Sequence, residues 1–196
     1  MEDKKLEVTY FQNKGFENTE KTLEIAKNYA KKHKIEDIII ASTTGSTAKA
    51  ILNKFNMEEF NIVVVTHSYY FVGSSLRQEF EENLMEELKE KGVKILSSTH
   101  SMSGIERGLR LKNEPWIFVD LLAKVIRQQF GQGIKVCIEI ASMAVDNGLI
   151  SSLNNDIICI AGTGKGADTA CIIKPAPTSE FMNIRVKAIL CKPFNF

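Results

Sequence analysis

The fold is decided by the stretch Asp37–Phe55, DIIIASTTGSTAKAILNKF, in which an apolar run passes through a hydroxyl-rich loop into a helical pattern. The run Ile38–Ser42 is typical of a buried strand. Four apolar residues that follow the loop recur at helical spacing: Ala48, Ile51, Leu52 and Phe55. A strand that leads through a loop into a helix is the repeating unit of α/β proteins. The stretch therefore predicts this class.

Other apolar runs extend the same alternation along the chain. We predict further strands at Ile62–Thr66, Ile134–Ile140 and Asp156–Ala161, a shorter one at Val93–Leu96 and an edge strand at Val8–Phe11. Runs rich in Ile and Val, separated by helical segments, favour a largely parallel sheet that is buried on both faces. Beyond residue 161 no long helix separates the strand-like segments 171–173 and 186–190, so the C-terminal part is expected to be an antiparallel hairpin.

Helical spacing predicts three more helices. The first begins at Asn18 or Thr19, and its apolar face is formed by Leu23, Ala26, Tyr29 and Ala30. The next has its apolar face at Leu76, Phe80, Leu84 and Leu88 and ends at Gly92, which suits a left-handed cap. The last begins near Pro115 and ends at Gly131–Gly133, with a core stripe of Phe118, Leu121, Leu122, Val125 and Ile126.

Composition restricts the class of protein. The chain has 196 residues, which suits one domain spanning 1–196, and its formal net charge of +1 gives no reason to expect a nucleic acid partner. The sequence contains no apolar run long enough to span a membrane, and we expect a cytoplasmic protein. The four cysteines lie in apolar stretches without CxxC spacing, which favours reduced, buried thiols.

The hydroxyl-rich loop is the first candidate binding site. It consists of six consecutive residues: Ser42, Thr43, Thr44, Gly45, Ser46 and Thr47. Ligands of open α/β sheets bind where parallel strands end, because the following loops diverge there. Amide groups and hydroxyls in such a loop form a cradle for a phosphate, and a glycine allows close approach of the backbone. The plainer alternative is a helix cap with solvated hydroxyls. No Walker lysine is present, so the loop does not indicate an NTPase.

A second candidate loop follows the predicted strand 156–161. It contains Gly162, Thr163, Gly164, Lys165, Gly166, Asp168 and Thr169. The spacing GxGxG followed by a strand does not fit a Rossmann dinucleotide fingerprint. Two interpretations stay open: a hairpin loop without a ligand, or a flap whose amides and lysine close over an anion.

Several titratable residues are predicted near the same sheet edge. His67 and His100 follow neighbouring strands, and imidazole can bind a phosphate or transfer a proton. No third metal ligand accompanies them at a recognisable spacing, so we expect no metal site. Arg107 can pair with a phosphate or form a salt bridge with Glu106 or Glu114. Glu139 interrupts an apolar run and is either a structural anchor or a site residue.

Taken together, the motifs resemble the C-terminal α/β domain of pyruvate kinase, and more closely the stand-alone archaeal and bacterial proteins that consist of this domain alone. The resemblance covers nearly the whole chain. It is carried by TYFQNKGFENTEKTL (9–23), ASTTGSTA (41–48), VVVTHSYYF (63–71), STHSMSGIER (98–107), FGQGIKVCIEIASMAVDNGLI (130–150) and AGTGKGADTA (161–170).

The resemblance implies a three-layer α/β/α fold with a mixed five-stranded core sheet whose last strand is antiparallel, plus the C-terminal hairpin. It also implies an effector site between the two loops and no pyruvate kinase activity, since the catalytic barrel has no counterpart here. Pyruvate kinases often carry a basic residue where Thr43 or Ser46 stands and Trp where Thr163 stands, which argues against fructose bisphosphate. The stand-alone proteins resemble binders of flavin mononucleotide (FMN).

Two functions follow as hypotheses. The first is a binding or sensor domain that holds a phosphorylated small molecule, FMN or a sugar phosphate, between the two loops. The second is a small enzyme acting on a phosphorylated or flavin-dependent substrate, with His67, His100 and Glu139 as candidate catalytic residues and Asp168 as a further candidate carboxylate partner of the histidine. A homo-oligomer is a further expectation, since Tyr69, Tyr70 and Phe71 either seat a neighbouring copy or stack on a planar ligand.

Overall fold

The computed structural model of the protein describes residues 3–112 and 118–196. Within them, one mixed sheet of seven strands runs through the molecule in the order β1-β7-β6-β5-β2-β3-β4. The strands are β1 (Thr9–Phe11), β2 (Asp37–Ala41), β3 (Asn61–His67), β4 (Lys94–Ser98), β5 (Ile157–Ala161), β6 (Thr169–Lys174) and β7 (Arg185–Pro193). The helices are α1 (Thr19–His33), α2 (Ser46–Leu52), α3 (Glu82–Glu90), α4 (Ile105–Leu111), α5 (Phe118–Phe130) and α6 (Gln132–Asp146).

The strand pairing confirms the predicted α/β class and the antiparallel C-terminal part. Strands β5, β2, β3 and β4 are parallel neighbours, whereas β6 runs antiparallel to both β5 and β7. The resemblance implied five core strands; the sheet has seven because β7 and β1 continue it beyond β6. The predicted edge strand near Val8–Phe11 is the edge strand β1.

Helices cover both faces of the sheet, which gives the three layers that the resemblance implies. One core cluster packs Leu23 and Ala26 of α1, Ile51 of α2 and Leu88 of α3 against one face. The other cluster packs α6 against the opposite face, with Cys137 fully buried. All four cysteines are buried and free, as predicted.

The predicted strand at Ile134–Ile140 is wrong, because this segment lies inside helix α6. Its buried apolar residues recur three or four positions apart: Ile134, Cys137, Ile140, Ala141 and Ala144. This is the period of a helix face and not the two-residue period of a strand. Gly131, with φ +100°, ends α5 and leads directly into α6. The predicted helix end is therefore confirmed at Gly131, whereas Gln132 and Gly133 lie in the first turn of the next helix, α6.

Two predicted helical faces also differ from the structure. Helix α3 begins at Glu82, so Leu76 and Phe80 precede it, although Phe80 is buried in the core. In α5 the predicted core stripe is wrong: Phe118, Leu121 and Val125 are exposed, whereas the buried residues of this helix are Asp120 and Ala123. Pro115, predicted near the start of that helix, lies outside the described residues.

Gly45 occupies a position that other residues adopt only with strain. Its φ is +93°, and a Cβ atom there would lie 2.5 Å from Cδ2 of Leu84 and 2.9 Å from Cε1 of Phe80. The glycine therefore allows the hydroxyl-rich loop to turn tightly while the segment before α3 packs against it.

Candidate functional site

A cleft of about 740 Å³ opens where the parallel strands β2, β3, β4 and β5 end. Its volume lies in the range of sites for small molecules and cofactors. Both candidate loops line it. Because the loops leave neighbouring strands, their convergence follows from the order of the sheet.

The hydroxyl-rich loop contributes Ser42, Thr43, Thr44, Ser46 and Thr47 to the cleft wall. The loop is fixed to the sheet: the Ser42 amide donates to the carbonyl of Val65, and the Thr66 hydroxyl donates to the carbonyl of Thr43 at 3.1 Å. The Ser42 hydroxyl accepts the Ala48 amide at 3.3 Å and so satisfies one amide in the first turn of α2, whose N-cap residue is Gly45. Gly45 is turned toward Phe80 and Leu84, so its role is in shaping the loop.

The glycine-rich loop contributes Gly162, Gly164, Lys165 and Gly166 to the cleft. Thr163, Asp168 and Thr169 are not part of the cleft wall. Four amides of this loop already donate within the protein: those of Thr163, Lys165, Ala167 and Asp168. The groups that this loop presents to the cleft are therefore its glycine backbone and the side chain of Lys165.

Asp168 is the anchor of the glycine-rich loop. Its fully buried carboxylate accepts the amides of Gly15 and Thr163, both at 3.1 Å, and the hydroxyl of Thr169 at 2.8 Å. These three bonds satisfy a charge that burial would otherwise make costly. The expectation that Asp168 partners a histidine or touches the ligand is not supported by this geometry, because the side chain is occupied beneath the loop.

His67 lies at the end of β3 and lines the cleft. Its Nδ1 atom is 2.6 Å from Oε2 of Glu79, in the segment before α3. Burial lowers the pKa of His67 below its usual 6.5, while the hydrogen bond to Glu79 acts in the opposite direction. The imidazole is therefore mainly neutral at pH 7, the state in which it can accept a proton.

His100 also lines the cleft and lies above a buried ion pair. Its Nδ1 atom is 3.4 Å from Oε2 of Glu139, and Nζ of Lys135 donates to the same oxygen at 2.6 Å. The other oxygen of Glu139 accepts the Met102 amide at 3.0 Å. Burial alone would raise the pKa of Glu139, but the hydrogen bond from His100 and the charge of Lys135 outweigh it and lower the pKa to about 2. Glu139 is thus a buried anchor whose side chain also lines the cleft.

Phe71 joins the two histidines in one aromatic cluster. Its ring centroid lies 4.0 Å from that of His67 and 4.9 Å from that of His100, nearly parallel to the latter. The guanidinium of Arg107 lies 4.1 Å from the centre of the Phe71 ring. Arg107 therefore faces the cleft, while Tyr69 and Tyr70 are exposed at the surface. Glu114, one proposed partner of Arg107, lies outside the described residues.

The cleft concentrates positive charge. Five basic side chains line it, against the two carboxylates of Glu79 and Glu139: Arg107, Arg110, Arg127, Lys135 and Lys165. Arg110 pairs with the buried Asp120 at 2.7 Å. Since the whole protein has a formal charge of only +1, this excess is local to the site.

Sequence reasoning missed Glu79, Lys135 and Arg127. Glu79 lies in an irregular segment, where no periodicity relates it to His67. Lys135 and Glu139 are four residues apart, the spacing of an ion pair on a helix, but assigning a strand to this segment concealed that signal.

A comparison of the sequence with models of known protein families found no match. Within residues 3–112 and 118–196, no cluster of three or more His, Cys, Asp or Glu side chains is arranged to hold a metal ion. No helix in this part of the chain has the length and apolar character needed to cross a membrane.

Proposed function

We propose that the protein binds a phosphorylated small molecule, FMN or a sugar phosphate, between the loops 42–47 and 162–169, and that it has no pyruvate kinase activity. The observation that carries this proposal is that both loops line one cleft, although about 115 residues of sequence separate them. A phosphate between the loops is within reach of hydroxyls, glycine backbone and Lys165.

The charge of the cleft supports an anionic ligand. With Asp120, which pairs with Arg110, counted as well, five basic and three acidic side chains leave an excess of two positive charges, which a phosphate dianion would neutralise. The aromatic cluster around Phe71 is suited to a planar group such as the flavin ring of FMN. The sheet order β4-β3-β2-β5-β6, with β6 antiparallel, supports the proposed likeness to the pyruvate kinase C-terminal domain.

A cytoplasmic location and a homo-oligomer belong to the same proposal. The support for an oligomer is a set of exposed apolar side chains, among them Tyr69, Tyr70, and Phe118 and Leu121 of α5. Light scattering coupled to size exclusion tests this directly, and a monomer mass across the accessible concentration range would contradict it.

Binding is tested by thermal shift with FMN, riboflavin and a panel of sugar phosphates with their unphosphorylated sugars. A ligand at 100 times its dissociation constant stabilises the fold by about 2.7 kcal/mol. FMN and riboflavin share the ring system, so a difference in the stabilisation they produce measures the contribution of the phosphate to binding.

Lys165→Gln is expected to weaken phosphate binding, whereas Lys174→Gln, at an exposed position at the far end of β6, is the matched control. The absorption spectrum of freshly purified protein adds a direct readout, since retained FMN is yellow. Failure of every phosphorylated compound to stabilise the protein would reject the function.

A further inference from the structure

We propose that His67 and His100 form an acid–base pair that moves a proton on the carbon and oxygen atoms of the bound ligand, a phosphorylated aldehyde or ketone. Glu79 and Glu139 are their positioning residues. This inference rests on the proposed binding function and adds a reaction to it.

The first step of the argument is the orientation of each ring. Nδ1 of His67 faces Glu79 at 2.6 Å, and Nδ1 of His100 faces Glu139 at 3.4 Å. A carboxylate at one ring nitrogen fixes the tautomer and leaves the other nitrogen, Nε2, for the ligand. Two such pairs of a histidine and a carboxylate, His67 with Glu79 and His100 with Glu139, line the same cleft. Their four residues come from four separate segments of the chain.

The second step is the distance between the rings. The centroids of His67 and His100 are 5.0 Å apart, because the two residues follow the neighbouring parallel strands β3 and β4. Two imidazoles at this separation can contact adjacent atoms of one small molecule. One can remove a proton from carbon while the other donates a proton to the neighbouring oxygen.

The third step locates the reacting atoms relative to the phosphate. The phosphate loops follow β5 and β2, whereas the histidines follow β3 and β4, and adjacent strands lie about 4.8 Å apart. A phosphate held between β5 and β2 therefore lies roughly 7 Å from the line of β3 and roughly 12 Å from that of β4. The histidines therefore lie on the β3 and β4 side of a phosphate held there, where the carbon atoms of the same ligand would extend.

The proton transfer balances without a further reactant. Neutral His67 takes a proton from the carbon next to the carbonyl group. The C–H electron pair forms a C=C bond, and the carbonyl π pair moves to oxygen. The step requires His100 in its imidazolium form: one proton, on Nδ1, faces Glu139, and the carbonyl oxygen takes the other, on Nε2. The product is an enediol. Return of a proton to either carbon regenerates the carbonyl compound or its isomer, and both histidines recover their starting states.

The lowered pKa of His67 suits the role of a base, and identified neighbouring groups account for it. Burial lowers the pKa, and the charges of His100 and Arg107 act in the same direction, whereas Glu79 raises it. Because its pKa lies below the ordinary value of 6.5, His67 is mainly unprotonated at pH 7 and can accept a proton from carbon.

The test is hydrogen exchange in D₂O, followed by ¹H NMR. The full-length protein is incubated with dihydroxyacetone phosphate, ribulose 5-phosphate and fructose 6-phosphate, and with the three unphosphorylated ketoses. We expect loss of the proton signal next to the carbonyl for at least one phosphorylated ketose. His67→Asn and His100→Asn should each lower the exchange rate by about 100- to 10,000-fold. His33→Asn is the matched control, since His33 stacks on Tyr29 at the end of α1, outside the cleft.

Glu79→Gln tests positioning. It should lower the exchange rate at saturating ketose phosphate by about 10- to 100-fold with KM nearly unchanged. It should also move the acidic limb of the pH profile to lower pH, because Glu79 raises the pKa of His67. A side chain with only a structural role would not shift this limb.

The outcomes separate the two proposals. Ketose phosphates that stabilise the protein but do not exchange protons would overturn the acid–base pair and leave the binding function intact. Exchange that persists in both histidine variants would also overturn it. Absence of any stabilisation by phosphorylated compounds would reject both.

Discussion

The buried pair of Lys135 and Glu139 allows a quantitative test of the electrostatics beneath the site. Both side chains are almost fully buried and 2.6 Å apart. The pKa of Glu139 is about 2 in the folded protein against an ordinary value of 4.5. One pKa unit corresponds to about 1.4 kcal/mol, so ionised Glu139 contributes about 3 kcal/mol to the free energy of unfolding at pH 7.

The pH dependence of this contribution has a defined sign. Because the folded-state pKa is lowered, the contribution is complete above the unfolded value of 4.5 and is lost as the pH falls through about 2. About 1 kcal/mol of it remains at pH 3. The double variant Lys135→Met/Glu139→Gln lacks the pair. The difference in stability between the wild type and this variant should therefore shrink by about 2 kcal/mol between pH 7 and pH 3.

The single variant Glu139→Gln should be less stable than the double variant at pH 7. It leaves the Lys135 ammonium buried without its partner, which typically costs about 3–5 kcal/mol. Urea unfolding followed by circular dichroism measures all three proteins. Glu24→Gln, which removes the exposed pair of Glu24 and Lys21, is the control and should change stability by about 0.5 kcal/mol or less. A single variant as stable as the double variant would refute the reasoning.

Four further outcomes are expected. Gly45→Val should lower the Tm by more than Gly73→Val does. Both glycines have positive φ, but a Cβ atom would meet close neighbours at Gly45 and none at Gly73. Asp168→Asn should lower stability by roughly 1–3 kcal/mol in urea unfolding and weaken ligand binding, because the carboxylate anchors the glycine-rich loop. An NMR titration should place the pKa of His67 below 6.5, and Glu79→Gln should lower it further. The four buried thiols should react with a thiol reagent only after unfolding, since burial raises the pKa of Cys191, for example, to about 12.

The positions of the binding loops could be predicted because they follow from the strands. Buried parallel strands appear in sequence as continuous Ile- and Val-rich runs, and such runs precede Ser42, His67 and Gly162. Once the strands are recognised, the residues after them must meet at one edge of the sheet. The position of the cleft could therefore be predicted without knowledge of side-chain packing.

The segment of α6 shows where periodicity fails. In the run from Ile134 to Ile140, the charged residues Lys135 and Glu139 interrupt apolar ones in a way that fits a strand as well as a helix. Tertiary packing favours the helix over the strand here. Helix α6 packs on the sheet, and Lys135 and Glu139 are buried as an ion pair. The spacing of four residues between Lys135 and Glu139 indicates a helix, but local sequence does not show that the two side chains are buried together.

Helix α5 shows a different limit. Its apolar residues have the spacing of a core face, yet Phe118 and Val125 are exposed, and Asp120 is buried where it pairs with Arg110 of α4. Periodicity identifies an apolar face without showing what covers it. The pairing of Glu79 with His67 was likewise inaccessible, because it depends on the path of an irregular segment.

The pairing of β1 with β7 has a consequence for synthesis of the chain. Thr9 lies opposite Cys191, and the amide of Phe194 donates to the carbonyl of Phe11. On the ribosome, β1 emerges first but has no neighbour until β7 has been translated. The strand made earliest must therefore join the sheet last, and an interruption of translation before β7 would leave β1 with an open hydrogen-bonding edge.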